Sequence, residues 1–105
     1  LTLYLTRKGV NAKAFLREDG QLQVLKGSTA VYETTLSFSR HPYKPLRDDL
    51  IKIGKLVKTG QGYQFNDDYV FNSPSAAGAV ILGNSTNGQR EWKNKTGKTL
   101  KEILN

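Results

Sequence analysis

The chain has 105 residues and contains no cysteine and no methionine. The lack of cysteine excludes disulfide bonds and thiolate metal sites, and it is compatible with a reducing compartment. We therefore expect a cytoplasmic location. Because no methionine occurs even at position 1, we also expect that the chain begins inside a longer protein or that its start was trimmed.

Long hydrophobic runs are missing as well. No stretch approaches the ~20 apolar residues that a membrane-spanning helix needs. Leu1–Leu5 alternates with polar residues and does not form a signal-peptide core. The length predicts a single domain over residues 1–105, which would bury roughly two-thirds of the surface that its unfolded chain exposes. We expect a soluble domain without a membrane partner.

Acidic residues are few compared with basic ones. Lysine and arginine number 16 and acidic residues 9, so the formal net charge is +7. This excess favours a polyanionic partner, nucleic acid first and an anionic membrane second. The alternative is a basic domain that is merely soluble. No lysine or arginine lies between Lys58 and Arg90, so the central segment is neutral or acidic and has basic material on both sides.

The N-terminal third has the patterns of β-structure. Leu1–Leu5, Asn11–Leu16 and Gln21–Lys26 alternate between apolar and polar residues, as half-buried strands do. The Asp19-Gly20 dipeptide is typical of a tight hairpin turn. These patterns predict an antiparallel meander, and Ala30–Thr35 is a candidate further strand.

A helix is predicted over about residues 45–53. Pro45 suits a first helical turn, where its missing N–H is no loss. Leu46, Leu50 and Ile53 recur at helical spacing and form one apolar stripe, and Gly54 can end the helix. After this helix, residues 55–58 and 63–65 predict a small hairpin.

A second helix is predicted over about residues 74–82. Ser73 caps it and Pro74 takes the first position. Gly78 inside a helix costs about 1 kcal/mol relative to alanine, so we expect tight packing to compensate. Gln89–Lys93 is predicted as a strand and Thr99–Leu104 as a strand or short helix. The fold class is therefore α+β: an antiparallel sheet, made of the meander and a C-terminal hairpin, with two short helices.

Residues that could perform catalysis are few. His41 is the only histidine and has no local partner to orient it as a general base. The acidic pairs Asp48-Asp49 and Asp67-Asp68 could in principle hold Mg²⁺. The first pair has a simpler explanation in the helix dipole, and the second in a turn that leads to Tyr69. We expect no enzyme within these residues, no cofactor and no metal; a small nuclease that uses the acidic pairs is the third alternative.

Several residues could contact nucleic acid. The hydroxyls of Ser73 and Ser75 at a helix start could hold a phosphate, or they could simply cap the helix. Trp92 could stack on a base or lie in the core. The basic stretch formed by Arg90, Lys93, Lys95, Lys98 and Lys101 could contact phosphates or be a solvated face.

The segment Phe71–Trp92, with the sequence FNSPSAAGAVILGNSTNGQREW, resembles an uncharacterised (DUF-type) domain family. That family's pattern reads roughly F-x-SPSAAA-x-V-x-x-G-x-S-x-NG-x-x-x-W, followed by G-K-T-L. Its members occur at the C-terminal ends of GIY-YIG nuclease proteins and in proteins linked to restriction–modification. The motif is also similar to the RAMA domain, which is proposed to recognise modified DNA. The resemblance covers about residues 20–102, and the chain departs from the pattern at Asn72, Gly78 and Gln89.

The resemblance implies an accessory module that binds double-stranded and possibly modified DNA and is covalently linked to a catalytic domain. The candidate DNA-binding residues are Ser73, Ser75, Asn84, Ser85, Asn87, Gln89, Arg90, Trp92, Lys93, Lys95 and Lys98. The alternative is a protein-interaction or scaffolding domain that packs on its parent's catalytic domain. The neutral central segment favours this alternative, because interface cores are poor in charge.

Overall fold

A computed structural model describes residues 1–105. In chain order its elements are β1 (Thr2–Leu5), β2 (Ala12–Leu16), β3 (Leu22–Val24), β4 (Thr29–Val31), a 3-10 helix (Leu36–Arg40), α1 (Lys44–Lys52), β5 (Leu56–Thr59), β6 (Gly62–Phe65), β7 (Tyr69–Phe71), α2 (Pro74–Leu82), α3 (Gly88–Glu91) and α4 (Leu100–Leu104). The α+β class is confirmed. None of the helices combines the length and the hydrophobicity required to cross a membrane.

The strands form two antiparallel sheets. The first has the order β1-β2-β3-β7 and the second the order β4-β6-β5, so the predicted meander and the β5–β6 hairpin are confirmed. The strand predicted over Ala30–Thr35 is shorter, and it pairs with β6 outside the meander. Gly27 has φ of +92°, and the buried Ser28 accepts a hydrogen bond from the Lys13 amide at 3.0 Å. This turn directs the chain from the first sheet to the second.

Helix α2 is the central core element. It contacts β3 and β7 of the first sheet and β4 of the second, and every residue from Ala76 to Leu82 is buried. Ser73 Oγ accepts a hydrogen bond from the Ala76 amide at 3.1 Å, and Gly83 ends the helix with φ of +64°. A Cβ on Gly78 would lie 2.6 Å from Thr86 Cγ2. The predicted helix bounds and the expected tight packing at Gly78 are therefore confirmed.

Helix α1 matches its predicted position but not its predicted buried face. Leu50 is buried as expected, whereas Ile53 is 65% exposed and Arg47 is 3% exposed. The Arg47 guanidinium donates to the carbonyl oxygens of Val80 at 2.7 Å and of Val31 at 2.7 Å. Burial lowers the pKa of Arg47, an effect that the nearby Tyr63 and Asp48 oppose. The hydrogen bonds explain why a cation, rather than the last apolar residue of the stripe, faces the core.

The C-terminal region differs most from its prediction. The strand predicted over Gln89–Lys93 is wrong, because the one-turn helix α3 occupies Gly88–Glu91. Asn87 Oδ1 accepts from the Gln89 amide at 3.1 Å and begins this helix. Lys93 pairs antiparallel with both Tyr4 and Thr99, so the predicted hairpin is reduced to single bridges. Of the two open alternatives for Thr99–Leu104, the helix is the one that forms.

Candidate nucleic-acid interface

A surface cleft beside the end of β1 gathers the cations of two distant chain segments. It has a volume of about 740 Å³. We call it the basic cleft, and its lining residues are Tyr4, Thr6, Arg7, Arg90, Glu91, Lys93, Asn94, Lys95 and Gly97. Four of these side chains are cations and one is a carboxylate, so the basic cleft is a positively charged concavity that can hold an anion.

The single carboxylate of the basic cleft has a partner. Arg7, after β1, forms an ion pair with Glu91 of α3, and the two side chains are 54% and 23% exposed. This pair links the two chain segments that build the basic cleft. Arg90, Lys93 and Lys95 are exposed and form no ion pair. Three cations therefore remain free to bind a ligand.

The backbone that carries Lys93 and Lys95 is held in place. The amide and carbonyl of Lys93 both bond Tyr4 of β1, at 2.9 and 2.7 Å. Beyond it, Asn94 Oδ1 accepts from the amides of Thr96 at 3.0 Å and Lys98 at 2.9 Å. This Asx-type turn fixes the loop without using either lysine side chain.

Lys98 does not line the basic cleft and lies near the carboxylate of Glu102. Glu102 and Thr99 form a capping box at the start of α4. The backbone and hydroxyl hydrogen bonds from Thr99 lower the pKa of Glu102, and the charges of Lys98 and Lys93 lower it further. Lys98 thus interacts electrostatically with Glu102 of α4.

Trp92 is not a surface residue. Its side chain is 0% exposed, within the main hydrophobic cluster, and its Nε1 donates to the Pro74 carbonyl at 3.1 Å. The stacking role considered for Trp92 is therefore wrong, and the core interpretation is correct. An indole can lie in the core when its one donor has a partner.

The proposed phosphate site at the start of α2 is also not open. Ser73 Oγ caps the helix, and Ser75 Oγ accepts from the Gly88 amide at 2.9 Å. A Cβ on Gly88 would lie only 2.3 Å from the Pro74 carbonyl carbon and the Ser75 nitrogen. The backbone of α3 thus covers the helix start. Both serines have structural roles, and neither lines the basic cleft.

Three other predicted contacts lie in the loop between α2 and α3 and a fourth, Gln89, lies on α3, and none of the four lines the basic cleft. Asn84 is half-buried, and its side-chain amide group shares a hydrogen bond of 3.0 Å with the Thr86 hydroxyl. Asn87 uses its side chain to begin α3. Ser85 and Gln89 are exposed. Of all the residues predicted to bind nucleic acid, only Arg90, Lys93 and Lys95 come together in the basic cleft.

The residues considered for catalysis are separated in the structure. His41 Nδ1 accepts from the Tyr43 amide at 3.1 Å, and the ring stacks on Phe38. Asp48 pairs with Lys44 on α1. Asp68 accepts from the Lys26 amide at 2.8 Å and from Gln23 Nε2 at 2.9 Å. These hydrogen bonds lower the pKa of Asp68. No group of three or more potential metal-ligating side chains forms.

Sequence reasoning missed two residues of the basic cleft, Tyr4 and Arg7. The sequence predicted a strand at Tyr4 and a turn at Arg7, and the structure confirms both. Their place in the basic cleft follows from the pairing of Lys93 with β1 and from the contact of Arg7 with Glu91. The bonding partners lie more than 80 residues away in the chain, so no local pattern could reveal them.

The fold and the basic cleft define a small basic α+β domain with a surface suited to an anionic ligand. Residues 3–104 match the family described as "Domain of unknown function (DUF4357)", and the chain belongs to that family. No curated protein and no solved structure matches the chain.

Proposed function

We propose that the domain is a non-catalytic DNA-binding module in which the basic cleft binds the phosphate backbone. The observation that carries this proposal is that Arg7, Arg90, Lys93 and Lys95 line one concavity. Arginine and lysine provide charge-assisted hydrogen bonds to phosphate oxygens, and such contacts position a protein on DNA.

The resemblance to domains of GIY-YIG nuclease and restriction–modification proteins, and to the RAMA domain, supplies a context for this proposal. In that context the module would act in the cytoplasm and guide a covalently linked catalytic domain to its DNA, which could be modified. Ser85 and Gln89 remain candidates for contacts with base edges, because both are exposed and Gln89 precedes Arg90 on α3.

A scaffolding role is less well supported by the same features. The neutral segment favoured it, but residues Ala76–Leu82 of that segment are buried within the domain itself. The lack of charge in this segment is explained by its burial in the domain's own core. Arg90, Lys93 and Lys95 of the basic cleft are exposed and have no such internal role, so we prefer DNA binding.

Salt dependence of DNA binding tests the proposal. Each phosphate that the protein neutralises contributes about −0.9 to the slope of log affinity against log salt concentration. The double variant Lys93→Gln/Lys95→Gln should reduce the slope measured with duplex DNA by about 2. The matched control Arg40→Gln/Lys52→Gln removes the same charge outside the basic cleft and should change the slope less.

Two results would contradict the proposal. One is the absence of duplex binding even at low salt. The other is an equal change of slope for the two double variants, since that would assign the binding to net charge rather than to the basic cleft. Fluorescence anisotropy of labelled DNA measures both quantities, and the emission of the buried Trp92 reports whether each variant is folded.

A further inference from the structure

The outer face of the first sheet is open to solvent. In β1, β2 and β3 alternate residues are buried, and they face the core that contains α2. The residues between them form two rows on the opposite face. One row runs through Thr2, Phe15, Gln23 and Val70, and the other joins Lys93, Tyr4 and Lys13.

Two aromatic side chains lie on this outer face. Phe15 is 40% exposed and Tyr4 is half-buried. Tyr4 is opposite Lys13 and Phe15 is opposite Thr2, so the two aromatic residues are diagonal neighbours on adjacent strands. Diagonal neighbours lie roughly 7–8 Å apart, within reach of large side chains.

Cations lie on both sides of Tyr4. On one side is the basic cleft, which Tyr4 itself lines. On the other side Tyr4 lines a second cleft, of about 480 Å³, together with Lys13 and Lys26. Lys13 Nζ lies 6.0 Å from the centre of the Tyr4 ring. Tyr4 thus connects two positively charged concavities across the sheet.

We propose that this outer face binds single-stranded or locally unpaired DNA, with bases stacked on Tyr4 and Phe15 and phosphates in the two flanking clefts. The inference rests on the proposed function and specifies the form of DNA that the domain prefers. Aromatic side chains between basic grooves are the combination that holds single strands without sequence preference. Duplex DNA offers phosphates to the basic cleft, but its bases are stacked on each other and not available to Tyr4 or Phe15.

The dimensions of the face suit a short strand. Neighbouring β-strands are about 4.8 Å apart, so the distance from Lys93 through Tyr4 and Lys13 to β3 is roughly 14 Å. A segment of two or three nucleotides can cover that distance, which agrees with the two aromatic rings on this face.

The first experiment compares two single strands of equal charge, and it includes a duplex as a third ligand. Wild-type protein is titrated with oligothymidine of about 12 nucleotides, with an abasic strand of the same length, and with a duplex. We expect the abasic strand to bind about tenfold more weakly than oligothymidine, because it keeps the phosphates and lacks the bases. This comparison needs no variant and therefore does not depend on the folding of one.

The second experiment removes the aromatic rings. Tyr4→Leu and Phe15→Leu should each weaken oligothymidine binding about tenfold. Phe15→Leu should change duplex affinity less than twofold, because Phe15 does not line the basic cleft. Tyr32→Leu is the matched control, because Tyr32 is 49% exposed, directly follows β4 of the other sheet and stacks on Tyr63. It should leave both affinities unchanged.

The outcomes separate the inference from the proposed function. Equal binding of abasic and base-carrying strands, or equal losses for single strand and duplex in Phe15→Leu, overturns stacking on this face and leaves the basic cleft as a DNA site. If no DNA binds at low salt, both proposals are overturned, and the outer face would be free for a protein partner.

Discussion

Trp92 Nε1 donates a hydrogen bond to the carbonyl oxygen of Pro74 at 3.1 Å, and this bond joins the end of α3 to the first residue of α2. The contact places the only tryptophan inside the domain. It also explains how the short helix α3 is anchored, since four residues of helix are not stable by themselves. Arg90 and Glu91 of α3 line the basic cleft, and the hydrogen bond from the Gly88 amide to Ser75 Oγ is a second anchor of this helix.

Replacing Trp92 by phenylalanine should destabilise the domain. The change leaves the Pro74 carbonyl without its partner and leaves unfilled volume in the core, at a cost of about 2–3 kcal/mol. Urea unfolding followed by circular dichroism measures the loss. DNA affinity of the folded variant should stay within about twofold of wild type. Normal stability with a large loss of affinity would show that the indole contacts DNA.

Gly78 should resist replacement by alanine, although alanine is normally better in a helix by about 1 kcal/mol. The added Cβ would lie 2.6 Å from Thr86 Cγ2, so we expect Gly78→Ala to destabilise the domain by about 1–3 kcal/mol. Thr86→Ser removes that methyl group. The double variant should recover part of the loss, and a double-mutant cycle measures this coupling. If the free-energy changes of the two single variants simply add in the double variant, the two side chains do not clash.

Asp68 should make stability depend on pH in the acidic range. Its hydrogen bonds from the Lys26 amide and from Gln23 depress the pKa in the folded state. A depressed pKa adds stability above the unfolded value of about 3.9, and this stability is lost as pH falls through the folded pKa. Asp68→Asn should therefore be less stable than wild type at pH 7.

The stability difference at Asp68 should shrink as the pH falls below about 4, because the wild-type carboxyl then takes up a proton. Urea midpoints of both proteins, measured from neutral to acidic pH, give this difference directly. A difference that stays constant over that range would contradict the assignment, because it would not follow the charge of the carboxylate.

Glu91 should oppose DNA binding, because it is the only carboxylate in the basic cleft. Glu91→Gln removes that charge and frees Arg7 from its ion pair. We expect affinity for DNA to rise about threefold at low salt, since the net positive potential of the cleft increases. Glu18→Gln is the control, because its carboxylate is exposed and lies outside the cleft lining. A lower affinity after Glu91→Gln would indicate that the Arg7–Glu91 pair positions the site.

Prediction from sequence was most accurate where the signal is local. Ser73, Pro74 and Gly83 mark the two ends of α2, and a capping hydroxyl, a proline and a left-handed glycine act within a few residues. The alternation of apolar and polar residues in β1 and β2 likewise predicted which face of each strand is buried. Prediction failed at Gln89–Lys93, where a run that suited a strand forms a single helical turn. Its conformation depends on Gly88 packing against the start of α2, a contact outside any local window.

The candidate site shows the same division. Arg90, Lys93 and Lys95 were identified from their density in the sequence, whereas Arg7 and Tyr4 were not. The apolar stripe of α1 predicted Ile53 in the core, but Arg47 is there instead, because three backbone carbonyls are positioned to accept its hydrogen bonds. The three carbonyls belong to Val80 of α2, to Val31 of β4 and to Tyr32, the residue directly after β4.

The sequence by itself determined the α+β class, the ends of α2, the need for close packing at Gly78 and the excess of positive charge. These features depend on backbone conformation, side-chain size and composition, all of which act locally or add over the chain. Only the tertiary structure decided that Trp92 is buried, that Arg7 joins the C-terminal cations and that the outer sheet face carries Tyr4 and Phe15. The physical reason is that burial and charge clustering depend on pairs of residues brought together by folding, here from opposite ends of the chain.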